Sequence, residues 1–377
     1  MLTIPTFLLI LIAFWAILYV LGRVFHLEKY GLEVGPAYFI YKSGKMKAAV
    51  EALAQKRSKL WRTLCNVSLV IAIGLVIYSV YFFVSNILGF FFLGEVATRV
   101  SLIIPGITLR LYWIPYFLIA GAVIVVTHEV AHGIAAKLEK IPIESAGVML
   151  ALVFPGAFVE PNEEKFEKAP TLSKLRMVAV GSATNLVTGL LVLLLLLTLF
   201  TPAGIMILET KEGGPLAKAG LGQWDSIYAV NGTQISNDLE LYNYMTASDN
   251  NVSAGDILNL DTNKGTIPIN VTEGEWIDAI GLTYYWNYFR CRLGLGYTPA
   301  IHFQLALTWI LLLAVAVAIF NMLPAYPFDG DKMVYYILER VMKRGLREAR
   351  ILITAICFGL MATSIALSFI QHGLFFL

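Results

Sequence analysis

The sequence predicts a polytopic α-helical membrane protein: about six transmembrane helices, with a small α/β domain inserted between the fourth and fifth. Three observations lead there. Of 377 residues, 58% are hydrophobic and only 14% charged, where a soluble chain carries about 25% charged residues. Apolar runs of about 20 residues, enough to cross a bilayer, recur along the chain. Between the fourth and fifth runs the pattern changes to short apolar stretches separated by turn residues.

The spans fall near 2–22, 64–92, 112–136, 175–200, 302–323 and 350–371, the second long enough to tilt or break around Gly89. No basic residue precedes the first run and no cleavage site follows it, so it reads as a retained span. Division follows as 1–110, 111–200, 201–301 and 302–377: N-terminal spans with a loop, two halves of a membrane core, and the inserted domain between them.

Orientation comes from the basic loops. Arg23, Lys29, Lys42, Lys45, Lys47, Lys56, Arg57, Lys59 and Arg62 lie between the first two spans. A second basic set, Lys332 to Arg350, lies between the last two. Both loops are therefore expected in the cytoplasm, with both termini and the 201–301 segment outside. The stretches Ile40–Leu60 and Asp331–Arg350 mix basic and apolar residues and suit the anionic inner leaflet. A net charge of +2 with no basic-aromatic stripe gives no reason to expect nucleic acid as a partner. Cys65, Cys291 and Cys357 match no redox or zinc-ribbon spacing.

Within 201–301, residues 205–209, 226–230, 257–260 and 267–271 read as strands. Residues 215–219 and 238–247 read as helices, the second capped by Asn237 or Asp238. Sequons start at Asn231, Asn251 and Asn270 and carry little weight as short patterns.

The chemistry is concentrated at His128-Glu129-Val130-Ala131-His132, at the end of the third apolar run. Positions i and i+4 share a helix face, so both imidazoles reach one metal ion, and Glu129 lies to one side to act on water. Ionisable groups at membrane depth are expensive and mark function. Zinc in a catalytic site takes three protein ligands and keeps a fourth position open. The residues alone leave the third ligand open. His26, His302 and His372 have no local signature, and Glu95, Glu144, Glu160, Asp329 and Asp331 are all acidic candidates near span boundaries.

The HExxH stretch, taken with Asn321 to Gly330 (NMLPAYPFDG), resembles the site-2 protease family of intramembrane zinc metalloproteases. That resemblance implies Zn2+ held by His128, His132 and Asp329, with Glu129 as general base. Phe328 stands where the family usually has leucine; Asn321 and Pro324 match. Phe154 to Glu160 (FPGAFVE), with Asn185, resembles the branch containing the eukaryotic site-2 enzyme. The run 148–159, interrupted by Pro155-Gly156, is too short to span and is expected to re-enter as a hairpin that pairs with an unwinding substrate. Asn185 and Asn321 are candidates to bind a substrate carbonyl or to hydrogen-bond between helices. Gly214 to Gly220 (GPLAKAG) and Asp225 to Gly232 (DSIYAVNG) resemble a PDZ domain, with Gln223-Trp224 departing from its pattern.

The implied function is an intramembrane zinc endopeptidase cutting transmembrane protein substrates within the bilayer, near the cytoplasmic side. It is expected in a cell membrane, with the PDZ-like domain contacting substrate. A membrane metalloprotease acting on extramembrane chains, or a metal-binding transporter or scaffold without hydrolysis, are the competing readings.

Overall fold

The structure, a computed structural model, describes residues 4–93, 100, 103–104, 108–247 and 252–372. Six of its helices are long and apolar enough to cross a membrane. These are α1 (Ile4–Val24), α3 (Ser58–Leu88), α4 (Ile114–Leu138), α6 (Thr171–Leu199), α10 (Tyr297–Asn321) and α12 (Leu346–His372). α3 passes into a π turn at Gly89–Leu93, where the sequence suggested a break. Their outward faces stay apolar, as in Leu9, Val70, Leu190 and Ile351, because lipid rather than water is the solvent there.

The chain divides into two compact units, residues 1–192 with 308–377, and residues 193–307. In the first unit the short elements are β1 (Leu32–Val34), β2 (Tyr38–Lys42), α2 (Gly44–Lys56), β3 (Ile143–Ala151), β4 (Phe154–Pro161), α5 (Glu163–Glu167) and α11 (Asp329–Val341). The four strands form one antiparallel sheet in the order β1-β2-β3-β4. The 148–159 run forms a hairpin, β3 and β4, that turns at Leu152-Val153. Pro155 and Gly156 lie inside β4, opposite Leu150 and Met149. A proline is tolerated there because β4 is an edge strand, paired among the described residues with β3 alone. Strands β1 and β2 come from the stretch before the second span, and 40–60 accordingly splits into the end of β2, α2 and the start of α3. The 331–350 stretch likewise splits, with α11 ending at Val341 and Gly345 at positive φ before α12.

The core beneath the HExxH turn is shared by four helices. Val50 and Ala54 of α2, Cys65 of α3, Ile134 and Ala135 of α4, and Met177 and Val180 of α6 pack together. Around it, the Glu139 carboxylate accepts from Arg62 of α3 (3.2 Å) and from Ser173 (2.6 Å) and Arg176 (3.2 Å) of α6. That clamp fixes the C-terminal end of α4.

The second unit holds β5 (Phe200–Thr210), α7 (Pro215–Lys218), β6 (Ser226–Val230), β7 (Thr233–Gln234), α8 (Asp238–Thr246), β8 (Ile257–Thr262), β9 (Gly265–Asn270), α9 (Trp276–Ile280) and β10 (Leu282–Cys291). Its sheet runs β10-β5-β6-β8-β9, with β7 beside β6. Ile205, Ile207, Leu216, Ile227, Leu241 and Leu260 form its core. Asn237 caps α8, accepting from the Glu240 amide at 2.9 Å, as the sequence suggested. The long strand β10 and the short helix α9 were not anticipated. The run 282–291 is aromatic-rich (LTYYWNYFRC) but shows no clean two-residue alternation.

Candidate metal centre

Helix α4 carries His128, Glu129 and His132 in its C-terminal half. The imidazoles face each other with Nε2 to Nε2 at 3.0 Å. Asp329, the first residue of α11, completes the group. Its Oδ2 lies 3.4 Å from His128 Nε2 and 3.4 Å from His132 Nε2. Among the described residues these three form the group able to hold a metal, one ligand atom from each. Ligands about 2.0–2.2 Å from zinc at tetrahedral angles stand about 3.3 Å apart, so the spacing fits that ion.

The surroundings fit a metal as well as the distances do. His132 Nδ1 lies 2.6 Å from the carbonyl oxygen of Met177 on α6, so Nδ1 carries the proton and Nε2 keeps its lone pair for a metal. His128 is held by Asn185, whose amide lies 3.2 Å from His128 Nδ1. Asn185 is fully buried, and its Oδ1 has no partner when Nδ2 faces the ring. The two amide ends exchange by rotation about χ2. With Oδ1 turned to His128, it accepts Nδ1–H and frees Nε2 for the metal, as in the second ligand.

Close approach of α6 makes this possible. A Cβ at Gly181 would run into His128 Cε1 and His132 Nε2, so only glycine lets the helix backbone pass the imidazoles. Gly330 has a similar role after Asp329: any side chain there would meet the Met322 carbonyl at the end of α10. Asn321, the last residue of α10, donates to Asp329 Oδ2 at 2.9 Å and to Ser182 Oγ at 3.2 Å. Burial alone would push the Asp329 carboxyl up. Its contacts with the two imidazoles outweigh that and hold the group well below the usual carboxylate range.

A cavity of about 780 Å³ opens on this group, and Glu129 lines it with the three candidate ligands. Glu129 Oε2 accepts from the backbone N–H of Val159 on β4 at 3.1 Å, which sets the carboxylate between the strand and the metal group. Asn321 also lines the cavity.

The other sequence candidates are placed elsewhere or engaged. Asp331 is buried against Arg350 of α12, with Oδ1 2.9 Å from the guanidinium Nε. Glu144 and Glu160 line the outer cavity and accept from Asn162 and Ser145, each at 2.6 Å. His26 is exposed before a 3-10 turn, and His302 stacks edge-on with Trp224 in the second unit. Glu95, the sequon at Asn251 and the side chain of His372 lie outside the described residues. Sequence reasoning missed Gly181, Ser182 and the Met177 carbonyl. Only the small pair Gly181-Ser182 inside an apolar span offered a signal.

A membrane-embedded metallopeptidase is the class that this geometry defines. Peptidase family M50 matches residues 116–364. An uncharacterized protein of Methanocaldococcus jannaschii is 28% identical over 351 residues, covering 86% of this chain and 82% of that protein. A membrane-bound transcription factor site-2 protease homolog of Arabidopsis thaliana is 31% identical over 83 residues, 22% of this chain and 16% of that protein. The family match spans more than half of the sequence: the chain belongs to peptidase family M50, the intramembrane zinc metallopeptidases.

Proposed function

We propose that the chain is an intramembrane endopeptidase in which His128, His132 and Asp329 hold one Zn2+ and Glu129 is the general base. The observation that carries this is the convergence of three ligand atoms with Glu129 on one cavity beside β4, the strand that ends the sheet. A Zn2+ held by these three residues would supply Lewis-acid chemistry, polarising the scissile carbonyl and lowering the pKa of water towards about 7. Glu129 receives the proton of the attacking water and returns it to the leaving amine as the C–N bond breaks. Asn185 orients His128 and Asn321 orients Asp329. Asn321 also faces the cavity, so substrate contact remains part of its role, whereas Asn185 is buried.

The substrate is a transmembrane helix that unwinds and adds to β4. Since the Val159 N–H points away from β3, antiparallel alternation directs the Ala157 N–H and C=O and the Pro155 C=O to the same outer edge. An unwound segment needs such partners, because lipid offers none. Pro155 and Gly156 serve this reading as part of that strand.

The inserted unit is read as PDZ-like. The GPLAKAG stretch forms the turn into and through α7, DSIYAVNG forms β6 and its turn, and α8 follows. Its edge strands β9 and β10 each pair on one side only among the described residues, which suits contact with a substrate chain. From the basic loops, the metal centre opens towards the cytoplasm and the PDZ-like unit lies outside a cell membrane.

The test compares wild type with Glu129→Gln on a single-span membrane reporter carrying helix-breaking residues within its span. Zinc retained with cleavage lost supports the proposal. Unchanged cleavage, or cleavage confined to soluble chains, contradicts it.

A further inference from the structure

We propose that Lys332 is a catalytic residue of this site: its ammonium faces the scissile carbonyl oxygen and stabilises the negative charge that develops there. This rests on the metallopeptidase reading above. Peptide hydrolysis generates an oxyanion, and a donor aimed at that oxygen is worth most in a cavity shielded from water.

The donors lining the cavity can be taken in turn. Asn162 uses Nδ2 on Glu144, and its Oδ1 caps α5. Asn321 uses Nδ2 on Asp329 and Ser182. Tyr336 donates its hydroxyl to Glu167 at 3.0 Å, beneath Lys174, and burial followed by the Glu167 charge raises its pKa, keeping it a donor there. Lys332 is different. It lies one turn after Asp329 on α11, half-exposed and lining the cavity, and among the described residues its acidic contact is Asp329 Oδ1 at 3.9 Å, beyond hydrogen-bond reach. The two Asp329 oxygens are thereby divided, Oδ2 towards the imidazoles and Oδ1 towards Lys332. Three N–H donors on a flexible stem remain available next to the candidate ligands, and Lys332 is the cation lining this part of an otherwise acidic cavity.

In the step this serves, the water oxygen bonds to the carbonyl carbon and the C=O π pair moves onto oxygen. Glu129 receives the water proton, and Lys332 donates a hydrogen bond without giving up its own. When the tetrahedral carbon collapses, the C–N bond breaks and the nitrogen takes the proton from Glu129.

The test uses full-length detergent-solubilised protein loaded with zinc, as wild type, Lys332→Met and Lys332→Arg. A phosphinic pseudotetrapeptide with an anionic tetrahedral phosphorus serves as probe, together with zinc stoichiometry. Expected are equal zinc in all three, at least tenfold weaker probe binding by Lys332→Met, and recovery of most of that loss in Lys332→Arg. Equal probe affinity in wild type and Lys332→Met overturns the proposal, including no detectable binding by either at millimolar probe. Loss of zinc in Lys332→Met also overturns it, because Lys332 would then be holding Asp329. Absence of zinc from wild type fails the metallopeptidase reading itself, a result separable from the other two.

Discussion

Gly181 and Asn185, one turn apart on α6, show how much of the candidate metal centre lies in residues outside the proposed ligand set. The first gives up its side chain so that two imidazoles fit, and the second sets which nitrogen of His128 carries the proton. Outer partners of this kind are worth about 10–100-fold in metal affinity. Asn185→Leu is therefore expected to weaken zinc binding by about that factor. Asn185→Asp, which keeps an acceptor for Nδ1–H, should retain most of it. Competition against a chelator measures both, and unchanged affinity in Asn185→Leu would show that His128 needs no orienting partner. At this scale the sequence was informative where spacing carries geometry. HExxH placed its histidines on one helix face without help. Asp329 lies some 200 residues further on, and no local pattern distinguishes it from Asp331, two positions away. Only the family resemblance chose it, and the structure supplies the physical difference: Asp331 is committed to Arg350, while Asp329 points at the imidazoles.

Among the elements, β4 joins structure to chemistry most directly. One of its outward amides holds Glu129, and in the proposed function its neighbour two residues back pairs with an added strand. Ala157→Pro removes that amide without breaking a β3–β4 hydrogen bond. Losing one backbone hydrogen bond to substrate costs about 1 kcal/mol, so kcat/KM on a membrane-embedded reporter should fall about fivefold with zinc content unchanged. An unaltered rate would place the substrate elsewhere. The helices were legible because lipid imposes a long apolar run on each one. The sheet was not, since β2 pairs with β3 across about 100 residues of chain, and nothing in YFIYK names its partner. The position of the hairpin turn was hidden for a related reason. Pro-Gly is a strong turn signal, but an edge strand accommodates both residues while Leu152, at positive φ, makes the turn.

For the molecule as a whole, the arrangement of basic loops carries a prediction about sidedness. Cysteines introduced singly at Lys45 and Lys343, with Cys65, Cys291 and Cys357 replaced, should resist a membrane-impermeant maleimide in intact cells. One placed at Glu212 should react. The reverse pattern would invert the topology and place the cavity on the outer side. Every functional reading at this scale depends on a single physical claim, that two histidines of one membrane helix and an aspartate at the start of the short helix α11 bind zinc together. The most direct measurement is the zinc content of purified full-length protein, wild type against Asp329→Ala. About one zinc per chain in wild type and clearly less in the variant is expected. Well-folded wild type without zinc after metal supplementation, or a variant holding as much zinc as wild type, would contradict the three-ligand centre.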